Sequence, residues 1–207
     1  LGPDPTEACS GVSVIRDDGD PNPQRRYKMV YGKQLPAELK ARLGVSRRWV
    51  VRTATSPDGL NWTEQPHLVS GDKFAELASL YRHNGLYIVN SHIRSRGEGD
   101  RPEGRQGYAW VSPDFEHWLS ESAPSFKTAE PAEGSGWGTH GAAGGAYTQV
   151  HLGVGAISLG NVAVGLYGMW HQRQPSWGEG GTNCDLGLLV SQDGLHFDEV
   201  VKGRPYI

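Results

Sequence analysis

Short apolar stretches separated by polar, turn-forming residues recur along this chain, a pattern typical of β-strands. The clearest stretches are residues 26–31, 85–92 and 160–171, and each leads through a long polar connection to a turn at residues 56–62, 112–118 or 191–197. Two of these turns contain Asp-Gly between apolar positions, a strong hairpin signal. The chain therefore contains an internal repeat with three copies.

The repeat predicts the fold. Its hairpin serines, Ser56, Ser112 and Ser191, are far enough apart for a unit of four strands with loops of variable length. A radial array of such sheets is a β-propeller. We predict an all-β fold with one domain over residues 1–207, and blades at approximately residues 10–70, 71–130 and 145–207. One short helix is expected at residues 36–43, ending at Gly44.

Composition agrees with a turn-rich β protein, since the 207 residues include 29 Gly and 13 Pro. A net charge of −3 provides no broad basic surface, so nucleic acid and anionic membranes are poor candidate partners. We expect no cofactor. Two cysteines, Cys9 and Cys184, allow one disulfide without requiring it.

Acidic residues cluster early in the chain, at Asp17, Asp18 and Asp20. A carboxylate site is conceivable there. We favour plain turn chemistry, because Asp, Gly, Asn and Pro are the residues that tight connections select.

Several motifs of the repeat resemble a known family. Residues 25–31, 56–62, 114–118, 160–168 and 185–197 are similar to the five-bladed β-propeller superfamily of arabinanases, invertases and levansucrases, in particular its little-described bacterial glycosidase-like branch. The resemblance implies glycosidic-bond hydrolysis and an extracellular or periplasmic location. It also implies that about two blades are missing or are supplied by the rest of the chain or by an associated chain. The family's trio of carboxylates on successive inner strands is not reproduced in pattern.

Candidate catalytic residues come from the expected geometry, in which inner strands begin at one face of the propeller. Counting back nine positions from the turn glycines Gly85 and Gly160 gives Glu76 and His151. Asp185 is expected to open a third strand at the same face. Paired carboxylates are what glycoside hydrolysis requires, and a histidine can assist them. A solvated strand-edge carboxylate, a structural histidine and a loop cap are equally compatible with these three residues.

Candidate sugar-binding residues follow the second strands. His92 with Arg94, and His171 with Arg173, form two His-x-Arg pairs at the expected start of loops, with Trp177 nearby. Arginine recognises carboxylates and aromatic rings stack on sugars, so these residues suit a saccharide that carries acidic groups. Solvated loops and ion pairs between blades remain the alternative.

The leading hypothesis is a glycoside hydrolase that acts on an oligo- or polysaccharide. A non-catalytic glycan-binding propeller, a partial domain without activity of its own, and a scaffold for protein partners are the alternatives. No H-E-x-x-H motif or paired-cysteine spacing predicts a metal site.

Overall fold

A computed structural model describes residues 9–47, 49–71, 75–96, 103–127, 149–172, 182–202 and 206. These residues form three four-stranded antiparallel sheets, each built from strands consecutive in sequence. The first sheet contains β1 (Cys9–Arg16), β2 (Tyr27–Gln34), β3 (Trp49–Ser56) and β4 (Thr63–Leu68). The second contains β5 (Glu76–His83), β6 (Leu86–Arg96), β7 (Glu103–Ser112) and β8 (Ala123–Phe126). The third contains β9 (Gln149–Ser158), β10 (Ala163–Gln172), β11 (Thr182–Ser191) and β12 (Asp198–Glu199).

The all-β prediction is confirmed for the described residues, and so is the single α-helix. That helix, α1 (Ala37–Leu43), ends at Gly44, whose left-handed φ of 66° suits a glycine C-cap. A 3₁₀ turn (Pro23–Arg25) precedes β2. No helix in the described ranges is long and apolar enough to cross a membrane.

The first strands of the three sheets lie side by side. The Leu80 N–H of β5 donates to Ser13 Oγ of β1 at 2.9 Å, and Ser79 Oγ donates to the Val154 carbonyl of β9 at 2.6 Å. At Gly153, with φ 92°, a Cβ would lie 2.6 Å from the Ser91 carbonyl. Only glycine therefore allows β9 to approach the second sheet this closely. The arrangement is consistent with part of a β-propeller.

Apolar side chains fill the spaces between neighbouring sheets. The core between the first and second sheets includes Val30, Val51, Leu80, Val89 and Trp110. The core between the second and third includes Tyr81, Ile88, Val154, Tyr167, Met169 and Leu189. Each sheet interior thus depends on burial against the next sheet.

The three repeated turns share one hydrogen-bonding scheme. In each, the serine hydroxyl accepts an N–H three residues later at 2.9 Å, from Gly59, Phe115 and Gly194 in turn. The aspartate that follows each serine by two residues accepts the N–H groups two and three residues after itself. These side chains explain why the motif recurs, since they satisfy backbone donors that the turn leaves without strand partners.

Three strand boundaries differ from the sequence prediction. β6 and β10 continue through His92, Arg94 and His171, which we expected at loop starts, and Asp185 is the fourth residue of β11 rather than its first. The pairing of β6 with β7 extends to Arg96 opposite Glu103, and that of β10 with β11 to Gln172 opposite Thr182. A polar side chain does not end a strand as long as the backbone at that residue still pairs with a neighbouring strand.

The disulfide that the sequence left open is absent, because Cys9 and Cys184 are both free and exposed. The turn chemistry predicted for the acidic cluster is present, with Asp17 accepting the Gly19 N–H and Asp20 accepting the Asn22 N–H. Asp17 and Asp20 also bind the buried Lys28, a contact that we did not predict from the sequence.

Candidate functional site

The three sheets begin at a common edge, called here the upper edge, where β1, β5 and β9 start and where β2, β6 and β10 end. It follows from the antiparallel order of each sheet and from the side-by-side packing of the first strands. The repeated Ser-x-Asp turns lie at the opposite, lower edge. The upper edge differs in sequence from one sheet to the next, whereas the lower edge repeats.

Glu76 lies at the upper edge as the first residue of β5. Its Oε2 is 3.4 Å from Nε2 of His92, which is its cross-strand neighbour in β6. The Glu76 side chain is 43% exposed and that of His92 is 3% exposed. A buried imidazole thus contacts a solvent-accessible carboxylate.

A cavity of about 360 Å³ opens beside Glu76, between the first and second sheets. Its lining comes from Ser10, Gly11, Gly32, Trp49, Val50, Ala75, Glu76 and Leu77. At Gly32 a Cβ would lie 3.0 Å from the Ser10 carbonyl, so the wall here is backbone with no room for a larger residue. The volume falls within the range of small-molecule sites.

Each first strand carries a register shift just below the upper edge. The shift lies between Ser10 and Val12 in β1 and between Leu77 and Ser79 in β5; in β9 the pairing passes from His151 to Val154. Such bulges bend a strand and are common next to functional sites.

The pairing places Glu76 and His151 at matching positions in their sheets. The turn pairs are His83 with Leu86 and Leu159 with Val162, whose carbonyl accepts the Leu159 N–H at 2.8 Å. Six residues farther along each second strand, His92 pairs with Glu76 and Gly168 pairs with His151. The same count of nine reached both residues because the extra residue that β9 passes at its shift offsets the different place of the glycine in the two turns.

Asp185 lies on the face of the third sheet that packs against the second. It pairs directly with Met169, which is buried in the core between those sheets, and paired residues share a face. In the second sheet, Asn90 accepts the Val154 N–H, and His92 follows two residues later on the same face. Glu76 and Asp185 are therefore on facing sheets, with Glu76 in a first strand and Asp185 in a third strand. Their use as a carboxylate pair stays a prediction.

The remaining predicted residues are placed only by backbone or not at all. His151, Arg94 and His171 lie in β9, β6 and β10, opposite Gly168, Arg105 and Asn183 respectively. Arg173 and Trp177 lie outside the described residues.

Sequence reasoning missed Trp49, the first residue of β3 and part of the cavity wall. An aromatic residue that opens a strand after a long connection was the available signal. No group of three or more potential metal ligands occurs among the residues that the structure describes.

Comparison with known proteins gives structural neighbours only. No protein-family model matches the chain, and no curated protein is a detectable relative. Among solved structures, a complex of BT0996 with RGII superposes with a TM-score of 0.54 at 12% identity, over 96% of this protein and 58% of that one. A glycosyl hydrolase from Bacteroides ovatus superposes with 0.52 at 14% identity, over 96% and 52%. A Bombyx mori GH32 β-fructofuranosidase in complex with sucrose gives 0.50 at 10% identity, over 94% and 34%.

These likenesses concern the fold, which this chain shares with glycoside hydrolases. The chain spans about half the length of the first two neighbours.

Proposed function

We propose that this chain is part of a glycoside hydrolase that cleaves a glycosidic bond of an oligo- or polysaccharide. The observation that carries the proposal is Glu76, an accessible carboxylate beside a cavity at the upper edge, in contact with the buried His92. The fold neighbours support it, since a glycosyl hydrolase and a fructofuranosidase bound to sucrose are among them.

In this proposal Glu76 and Asp185 are the two carboxyl groups that glycoside hydrolysis uses. One donates a proton to the leaving oxygen, while the other attacks the sugar or activates water. A separation of about 5 Å would produce retention at the anomeric carbon, and about 6.5 to 9.5 Å would produce inversion.

His92 has a different role here from the sugar contact first expected. With 3% of its side chain exposed, it has almost no surface to offer a ligand. We assign it as a positioning residue that fixes the orientation of the Glu76 carboxylate. His151, Arg94, His171, Arg173 and Trp177 keep their proposed roles in assisting catalysis and binding sugar.

The third sheet supports a proposal about further sheets. Its face away from the second sheet carries the exposed residues Ile157, Leu166, Leu186 and Val190. Pairing places Ile157 beside Val164 and Val164 beside Val190, so these positions form one apolar surface. We propose that another sheet, from the same or an associated chain, covers this surface as the third sheet covers the second. We also propose that the protein acts on polysaccharide outside the cytoplasm.

The test is hydrolysis of a panel of aryl glycosides and plant and microbial oligosaccharides by the full-length protein. Glu76→Gln and Asp185→Asn should each lower kcat/KM by about 100-fold or more, because removal of a general acid or base typically costs 10²–10⁴. Asp198→Asn, an exposed carboxylate on β12, is the matched control and should leave the rate unchanged.

The alternative is a propeller that binds glycans without cleaving them. The position of Asp185 on a third strand, away from the first strands that carry Glu76, favours it. If the wild-type rate survives both substitutions while oligosaccharides still bind, this alternative replaces the hydrolase.

A further inference from the structure

We propose that His67 and His117 together bind one divalent transition-metal ion, of the kind that imidazole prefers, between the first and second sheets. His67 is the fifth residue of β4, and His117 lies in the turn that follows β7. Their ring centroids are 6.0 Å apart, and both residues are exposed. The inference does not depend on the proposed hydrolase activity, and neither histidine belongs to the candidate site.

The distance between the two rings fits a shared ion. Zinc binds an imidazole nitrogen at about 2.0–2.1 Å, which places the ring centroid roughly 3.2 Å from the metal. Two rings on one tetrahedral ion therefore have centroids about 5.2 Å apart, within about 1 Å of the separation between His67 and His117. Exposed side chains change rotamer rapidly, so a small adjustment of His67 closes that difference.

His117 is held with one ring nitrogen available for a metal. Its Nδ1 lies 2.7 Å from Oδ2 of Asp114. An ionised carboxylate only accepts hydrogen bonds, so Nδ1 carries the proton and Nε2 of the neutral ring keeps its lone pair. A carboxylate behind the ring is how proteins commonly hold metal-binding histidines, because it fixes the tautomer and makes the other nitrogen a better ligand.

The charges around His117 favour a cation. The turn carries the carboxylates of Asp114 and Glu116, and Arg25 is the cation that contacts this turn among the residues described. Arg25 is paired with Glu116 and also lies 3.4 Å from Asp20. Its positive charge is therefore already balanced, and the Asp114 carboxylate stabilises positive charge at His117.

The repeated turns provide a comparison within the molecule. The position three residues after the turn aspartate is Asn61 in the first sheet, His117 in the second and His196 in the third. His196 contacts Asp193 at 2.7 Å in the same way, but within the described ranges no other histidine ring contacts it. The bond to aspartate thus belongs to the turn, and the second imidazole distinguishes the site at His117.

Zinc titration of the full-length, tag-free protein tests the site by NMR of ¹⁵N-labelled histidine. At about pH 8 the imidazoles are mainly neutral and able to bind metal. We expect the resonances of His67 and His117 to shift together, at zinc concentrations about tenfold or more below those that affect His196, because a second imidazole held nearby binds the ion intramolecularly. Magnesium, which prefers oxygen ligands, should leave all three in place.

Variants assign the resonances and separate a shared ion from binding to single histidines. His67→Gln should lower the zinc affinity at His117 by about tenfold or more, to the level at His196. His117→Asn should have the same effect at His67, and it should fold because Asn61 occupies that position in the first sheet and donates to Asp58 at 2.8 Å. His196→Asn is the matched control and should leave both affinities unchanged.

A shared ion would join β4 of the first sheet to the turn of the second. Zinc should therefore raise the Tm of the wild-type protein, and of His196→Asn, more than that of His67→Gln or His117→Asn. Equal zinc affinities at His117 and His196 in the folded wild-type protein would overturn the proposal. So would resonances of His67 and His117 that titrate at different zinc concentrations.

Discussion

The two junctions between sheets solve the same packing problem with different polar chemistry. Between the first and second sheets, Lys28 is fully buried and lies 3.1 Å from Asp17 and 2.8 Å from Asp20, whose side chains are 5% and 8% exposed. From the second sheet, Arg82 binds Asp17 at 2.8 Å and Tyr87 donates its hydroxyl to the same carboxylate. This junction is held by a buried network of charges.

The junction between the second and third sheets uses hydrogen bonds of amide, hydroxyl and imidazole groups. Asn90 accepts the Val154 N–H at 3.0 Å, and the Tyr81 hydroxyl donates to the Gly194 carbonyl at 2.7 Å. The His83 ring lies 2.9 Å from the Gln192 carbonyl and 2.8 Å from Ser158 Oγ.

The difference teaches that topology fixes where polar groups are needed but not which ones. Both junctions must satisfy buried donors and acceptors. Buried charges do so at a desolvation cost, and removal of either partner leaves the other charge buried without compensation. Hydrogen bonds between uncharged groups are individually weaker and depend less on pH.

Removal of Lys28 tests the ionic junction most severely. Lys28→Met leaves Asp17 and Asp20 buried with reduced compensation, and loss of one partner of a buried ion pair costs about 3–5 kcal/mol. Urea unfolding should show a free energy of unfolding lower by that amount. Lys202→Met, at an exposed lysine, is the control and should change it by less than about 0.5 kcal/mol. An equally small effect for Lys28→Met would mean that the charges do not hold this junction.

The turn residue with a left-handed backbone is of a different type at each junction. A second substitution tests the effect of that difference. The second sheet has Phe115 there, with φ 68°, and its buried ring contacts Tyr87 at 5.3 Å between centroids. The third sheet has Gly194, with φ 75°, where a Cβ would lie 2.6 Å from the His83 ring. The ring of Phe115 thus fills space at one junction, while at the other glycine leaves space for histidine.

Gly194→Ala should destabilise the protein by about 2–4 kcal/mol, from left-handed strain of about 1–2 kcal/mol plus overpacking against His83. Gly160→Ala is a matched control, because Gly160 also has positive φ, 94°, with nothing within 4 Å of a Cβ. Gly160→Ala should be destabilised only by the left-handed strain of about 1–2 kcal/mol. Thermal unfolding of both variants measures the difference, and equal losses would show that the His83 contact has no cost.

The sequence predicted the repeated parts of this fold because local chemistry encodes them. Ser56 and Asp58 bond to backbone groups within the same turn, so motif and structure coincide. α1 was predictable for the same reason, because Gly44 directly follows its last residue and forms the C-cap.

The candidate site was predictable only in part, because its contacts join residues distant in sequence. Glu76 was identified as a residue at the start of an inner strand, but its contact with His92 depends on pairing across β5 and β6. The pairing of Lys28 with Asp17 and Asp20 was likewise missed, although a lysine within an apolar strand was a usable signal. Trp49 was missed because no repeat places an aromatic residue there.

Acid should weaken the junction between the first and second sheets before the junction between the second and third, a smaller effect than either substitution. Burial raises the pKa of Asp17 and of Asp20, but hydrogen bonds and charges outweigh it and leave each pKa below its ordinary value. For Asp17 those partners are Tyr87, Lys28 and Arg82; for Asp20 they are Lys28, the Asn22 N–H and Arg25.

Because the folded pKa values are depressed, the stability that these carboxylates contribute is present above the unfolded value near 3.9 and is lost as pH falls through the folded values. Hydrogen exchange provides a local probe at each junction, namely the Leu80 N–H bonded to Ser13 and the Val154 N–H bonded to Asn90. After correction for intrinsic rates, protection of Leu80 should fall first below about pH 4. Simultaneous loss at both amides would instead show that acid unfolds the three sheets as one unit, and the contrast between the junctions would then have no consequence for stability.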